Sequence, residues 1–177
     1  QLNSGTSYQG DSGNIDISGF TTVGAGTVNM KLGVMAAEGD VGTPTGNNDY
    51  LAVQKLTADN TLPYNATNYL TLNHTNNTIT NFFNSSIYPV PTAGNSYPNL
   101  QNNTGIDISM FTIPNTGNVV IGNNQTATTF RYGSTYEVYT IFGLAMSVDA
   151  YVPELGGIIG VSSINGVPSP PVLTVLP

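Results

Sequence analysis

The chain reads as an all-β protein, an antiparallel β-sandwich with jelly-roll or Ig-like character, and three observations carry that expectation. Apolar residues alternate with polar ones; helix formers never gather at helical spacing; and turn residues punctuate the chain at short intervals. The first is clearest at residues 27–35, where Val28, Met30, Leu32 and Val34 share one side, the period of a half-buried strand. Gly, Asn or Thr interrupts almost every window in which Ala, Leu, Glu and Lys could build a helix.

In chain order the pattern predicts strands at 27–35, 50–57, 67–72, 77–83, 105–113, 117–121, 126–132, 135–148 and 157–163, each rich in β-branched or aromatic residues. Between them lie Gly46-Asn47, Asn103-Thr104-Gly105 and Gly122-Asn123-Asn124, residues that supply positive φ. Ahead of the first strand, Ile15, Ile17, Gly19, Thr21 and Val23 alternate along one side of an extended stretch. At the other end, Ser169-Pro170-Pro171 sets off the apolar run Val172–Leu176, and a double proline leaves such a run extended. Residues 15–30 and 106–121 align without gaps at eight of 16 positions, beginning with a shared Ile-Asp-Ile-Ser. That match reads either as a duplicated half-sandwich or as two hairpins solving one packing problem. Asp16 and Asp107, each between two isoleucines, are expected on solvent faces.

Composition limits function. Of 177 residues only three are basic and ten acidic, whereas Asn (22), Thr (23), Ser (13) and Gly (20) together make 78. A typical domain is about 25% charged, so this one is solvated by amides, hydroxyls and, on this reading, sugar. Lys31, Lys55 and Arg131 cannot form the basic footprint that nucleic acid or an anionic membrane surface demands. No run approaches the roughly 20 apolar residues of a membrane helix, so no membrane span is expected. With ten acids facing three bases there are few native ion pairs for acid to break, and stability is expected to vary little with pH. The chain opens on Gln1, and a mature secreted protein is the expectation; its lack of cysteine fits a reducing or an oxidising setting alike.

Catalytic and metal chemistry find little support. His74 is the only histidine and lies in a polar, turn-like stretch, so it reads as a surface loop residue. With one His and no Cys a zinc site lacks ligands. Oxygen-rich segments at Asp11, Asn14 and Asp16 and at Gly46-Asn47-Asn48-Asp49 have no EF-hand spacing, so neither metal nor cofactor is expected. Glu38, Asp40, Glu137 and Glu154 are the carboxylates from which a glycosidase pair could be drawn, yet their spacing pairs no two of them. A Lys to Asn isopeptide needs a buried lysine, and Lys31 falls on the polar side of its strand. The chain is not expected to be an enzyme.

Six Asn-x-Ser/Thr sequons remain as candidate glycan acceptors, at Asn65, Asn73, Asn76, Asn84, Asn102 and Asn124, all in loop-like or strand-end settings, and at least three are expected to carry sugar in an exported protein. A β-sandwich short of one strand leaves a groove that a neighbour's extended segment can fill, and head-to-tail repetition of such a contact gives a filament. The segment through Ile15, Ile17, Gly19, Thr21 and Val23 is the candidate donor strand, with Val172–Leu176 as its competitor. The corresponding division is a tail at 1–23 and a sandwich at 24–177.

In size, mature-type N-terminus, absence of cysteine, sequon-rich middle and Asn/Thr/Tyr-heavy, charge-poor composition, the chain resembles the pilins of archaeal threads, glycosylated surface filaments of thermoacidophilic archaea. The resemblance implies a type I pilin-like subunit, a homopolymer joined by donor strand complementation through its N-terminal tail, and a cell-surface location with a role in adhesion or biofilm formation. Surface glycans or cells would be what the filament touches. Two other readings stay open: a viral coat or S-layer β-sandwich, and a carbohydrate-binding adhesin domain presenting Tyr132, Tyr136 and Tyr139 or Tyr64 and Tyr69 as a platform.

Overall fold

The structure, a computed structural model, describes residues 11–37, 48–92, 105–135 and 138–152, and the backbone of 163–164 and 167–168. It is an all-β sandwich. Eight strands, β1 (Ser12–Ser18), β2 (Met30–Ala37), β3 (Tyr50–Gln54), β4 (Tyr69–Thr71), β5 (Ile87–Tyr88), β6 (Ile106–Ile113), β7 (Ala127–Gly133) and β8 (Thr140–Val148), form two four-stranded sheets. Sheet I has the order β1-β7-β3-β4 and sheet II the order β5-β6-β2-β8. All pairings within the two sheets are antiparallel except β5 with β6. A two-residue hairpin, β9 (Ser163–Ile164) with β10 (Val167–Pro168), stands apart.

The alternation read from 27–35 is the spine of the core. Met30, Leu32, Val34 and Ala36 point from β2 between the sheets, and Lys31 and Met35 point out. Leu51 and Val53 of β3, Phe111 and Ile113 of β6 and Phe130 of β7 meet them in one cluster. Each such side chain removed from water contributes roughly 1.5–3 kcal/mol, and this cluster is what holds the two sheets together.

Two predicted strands are loops, for a common reason. Phe82 and Phe83 are both fully buried, as are Val120 and Ile121. Neighbours in a strand point to opposite faces, so a strand buries both of a pair only where both its faces are covered, as at Leu51–Gln54 of β3; these bulky neighbours are instead sunk together from a loop. At 77–83 the chain therefore makes only isolated bridges. At 117–121 a 3-10 turn (Thr116–Asn118) replaces the strand, and Asn115 substitutes for a ladder. Its Nδ2 donates to the carbonyls of Val28 (2.8 Å) and Ile121 (2.9 Å), and its Oδ1 accepts from the N–H of Val120 (2.9 Å) and Ile121 (3.1 Å). β8 begins five residues later than the predicted 135, and of the predicted 157–163 only Ser163 lies among the described residues.

Asp107 corrects the expectation of a solvent-facing carboxylate. It is 1% exposed, while Ile106 beside it is 38% exposed. Its twin Asp16 is exposed on β1, with Ile15 and Ile17 turned inward. The two Ile-Asp-Ile-Ser segments thus lie in different sheets and in opposite phase. Phase follows the partners available: the 77–86 loop presents N–H donors to Asp107, whereas Asp16 meets the Thr129 hydroxyl (2.7 Å) and the Asn60 amide (3.1 Å) on the outer side of sheet I.

Candidate functional site

The N-terminal segment is built into the sandwich. β1 runs antiparallel to β7 over seven pairs, Ser12↔Gly133 to Ser18↔Ala127, and is the edge of sheet I. Ile15, opposite Phe130, and Ile17, opposite Thr128, pack against the core. On the outer side Arg131 reaches across to Asn14 Oδ1 (3.2 Å) and Ser12 Oγ (2.9 Å). Gly13 is needed because the ring and hydroxyl of Tyr132 lie where a Cβ would stand.

The single alternation read through Val23 ends at Gly19, whose φ of +88° turns the chain out of β1. Beyond it the segment joins the other sheet's side: Val23 N–H donates to Asp149 O (3.0 Å) and Tyr151 N–H to Thr21 O (2.8 Å). Thr22 takes the inward position, with Thr21 exposed. The Thr22 hydroxyl donates to Gly122 O (2.6 Å) and accepts from Gln125 N–H (2.9 Å). Of the five positions assigned to a donor strand, Ile15, Ile17 and Val23 touch the core, and Gly19 and Thr21 form the corner. The competing run, Val172–Leu176, lies outside the described residues.

The sequons divide by what each amide is doing. An N-glycan is carried on Nδ2. Asn65 is exposed and its Oδ1 accepts from the N–H of Thr67 and Asn68, both at 3.0 Å, which leaves Nδ2 without a hydrogen bond among the described residues. Asn73 and Asn124 are exposed, and their amides make no hydrogen bond among the described residues. Asn76 and Asn84 are half-buried. Asn76 Nδ2 points to Ile87 O (3.4 Å), and Asn84 Nδ2 donates to Asn76 O (2.7 Å). Asn102 lies outside the described residues.

Sequence reasoning missed the polar cluster that holds these two amides. The Asp107 carboxylate accepts from Asn84 N–H (3.0 Å), Ser86 N–H (3.4 Å), Asn77 Nδ2 (3.1 Å) and Ser109 Oγ (3.2 Å). Asn77 Nδ2 also donates to Phe82 O, and its Oδ1 accepts from Ser86 Oγ at 2.8 Å. His74, expected at the surface, is half-buried. It stacks on Tyr88 with ring centres 4.1 Å apart, lies against Phe82 and Phe111, and places Nε2 3.0 Å from Ser109 Oγ. Burial pulls its imidazole down to about 4 and pushes the Asp107 carboxyl up, against the hydrogen bonds it accepts. Both shifts favour the uncharged form.

Asp, Ser and His therefore stand in one chain, but the serine is in the middle. A nucleophilic triad needs the His between the Asp and the Ser so that it can take the hydroxyl proton. Here that proton is directed at Asp107, and Ser109 is fully buried. The cluster is a structural tie between the 74–86 loop and β6.

The other candidates are engaged elsewhere or lie outside the described residues. Asn14 Oδ1 and both Asp16 oxygens accept hydrogen bonds from Arg131, Thr129 and Asn60, and no three His or carboxylate side chains converge among the described residues. Glu38, Asp40, Glu137 and Glu154 lie outside those residues. Lys31 is exposed and Lys55 Nζ caps Ala66 O at 2.6 Å. The tyrosines pack on one another: Tyr64 stacks on Tyr50 at 4.3 Å, Tyr69 is 2% exposed and Tyr139 stacks on Phe83 at 4.0 Å. Tyr136 lies outside the described residues; among the described rings Tyr64 and Tyr69 meet at 64° and Tyr132 and Tyr139 at 73°, so these pairs form no flat platform. Compared with protein-family models, with curated proteins and with solved structures, the chain matches none.

Proposed function

We propose that the protein is the structural subunit of an extracellular surface filament, a homopolymer joined head to tail by its N-terminal strand, N-glycosylated and serving adhesion or biofilm formation. The observation that carries the reading is β1: a strand at the edge of its sheet, held in full register by one neighbour and set off from the rest by the corner at Gly19. A strand so placed makes the same seven pairs with the β7 of another subunit as with its own, and such an exchange is a low-cost route to assembly. Passed always to the next subunit, the contact does not close, and a filament results.

A charge-poor composition and three sequons, Asn65, Asn73 and Asn124, whose exposed side-chain Nδ2 groups make no hydrogen bond among the described residues fit an exported building material solvated by sugar. The test is removal of residues 1–18, which leaves the Thr22 corner in place, followed by negative-stain microscopy of the purified protein. Filaments from the full chain and none from the truncated one are expected, with assembly blocked in the full chain by an excess of a peptide spanning 1–18. Filaments that persist after the deletion would overturn the reading.

A further inference from the structure

The outer faces of the two sheets are unlike. Over sheet I the chain folds back on itself: Asn60 bonds to Asp16, Gln54 to Asp59, and Tyr64 stacks on Tyr50, so that Ala52, Gln54, Thr129 and Tyr69 are buried on the outer side. Over sheet II the outward large side chains of the described strands are apolar and exposed. Met110 is 61% exposed, Phe142 54%, Met35 43% and Ile106 38%. Lys31 is the one charge on the outward rows of β6, β2 and β8, at the end where Thr112 and Ser147 flank it. Taking about 200 Å² for a whole large side chain, those four expose roughly 400 Å², the size at which a monomer's largest apolar patch is often functional.

The face also has relief. The register of β8 against β2 shifts between Met35 and Ala36, so Phe142 stands outward while Ile141 and Leu144 stay packed on the core. Between Met110 and Ala145 sits Gly33, where an added Cβ would find nothing nearer than 3.9 Å. A ridge at Met110 and Met35 therefore borders a trough over Gly33 and Ala145. A two-fold axis brings one copy's ridge to the other's trough, which is the self-complementarity an isologous contact requires.

We propose that the outer face of sheet II packs against the same face of a second copy. The area sets its strength. Two such faces bury roughly 800 Å², short of the 1,200 Å² at which specific pairs are usually stable. Free subunits pair transiently, and the contact becomes persistent where many copies are held in line and their contacts sum. In a filament it is the lateral face, through which filaments lie side by side.

The chain's lack of cysteine makes a single introduced thiol a clean reporter, and the experiment needs only the folded subunit, so it stands apart from the filament reading. Met110→Cys and, as a second probe, Ala145→Cys are treated with a short bismaleimide able to span the ~10 Å between packed sheets, with Ser18→Cys on the opposite sheet as control. Both probes should give about tenfold more covalent dimer than the control, and adding Met35→Lys to the Met110→Cys chain should remove that excess. Dimer at control level from both probes, or an excess that Met35→Lys leaves unchanged, overturns the proposal. So does protection of Cys at position 110 from a monofunctional maleimide in the monomer, which would mean that the chain's own residues cover the face.

Discussion

Replacing Asp107 by Ala separates the buried carboxylate seen here from the solvent-facing one that its sequence context predicts. On a solvent face the change would cost within about 0.5 kcal/mol. In the structure it strips the acceptor from the N–H groups of Asn84 and Ser86, and takes one partner each from Asn77 and Ser109. Asn77 keeps Phe82 O and Ser109 keeps His74, so the two backbone groups dominate the cost. At about 1–3 kcal/mol for each buried donor left unsatisfied, the loss is about 3–5 kcal/mol, a large part of the 5–15 kcal/mol of a typical domain. Asp107→Asn keeps one acceptor oxygen but turns an amide N–H₂ toward donors, and an intermediate loss is expected. Urea unfolding followed by tyrosine fluorescence reads the result; with a slope near 2 kcal/mol per molar, the Ala variant's midpoint should fall by about 1.5–2.5 M. A fall of less than about 0.5 M would refute the reasoning.

Acid response should be damped because two buried groups oppose each other. His74, held at about 4 against an ordinary 6.5, contributes stability that is complete above the ordinary value and is lost as pH falls through that window. The shift is worth about 3 kcal/mol, reduced to roughly 1–2 by the ring's half-exposure. Asp107, raised by burial, works the other way, contributing in acid and losing that contribution as pH rises through its folded-state value. The intact protein should therefore lose less stability between about pH 7 and pH 3 than His74 alone would remove, while His74→Phe removes the acid loss and should make the variant relatively more stable at the lower pH. Gly19→Ala forces a side chain into a φ of +88° and should cost about 1–2 kcal/mol, measured by thermal melting. In a host that N-glycosylates exported proteins, site-resolved mass spectrometry should find glycan at Asn65, Asn73 and Asn124 and none at Asn84, whose Nδ2 is committed to Asn76 O; occupancy of Asn84 in the folded protein would count against the cluster described above.

The core face of β2 was legible in the sequence because one sheet lies on one side of it and water on the other, the condition under which polarity must alternate. The same logic misplaced 77–83 and 117–121, since consecutive apolar residues such as Phe82 and Phe83 look like strand formers, and local sequence does not show whether a strand or a loop will bury them both. Of the site, the sequons and the N-terminal alternation could be read, but the state of each amide could not. Asn65 and Asn84 carry the same motif, and what distinguishes their amides is the Asn76 carbonyl that takes Asn84 Nδ2 at 2.7 Å.

Composition and periodicity by themselves determined that this chain builds a β-sandwich with few charges, because alternation and turn chemistry act over a few residues and need no knowledge of the partner. Only the tertiary structure decided phase and partnership: that one Ile-Asp-Ile-Ser turns its aspartate to water and the other turns it inward, that His74 sits under Tyr88, and that Gly19 bends the N-terminal segment from one sheet to the other. Those outcomes depend on which donors and which cavity a distant segment brings to each residue, and contacts of that kind do not exist until the two sheets have closed on each other.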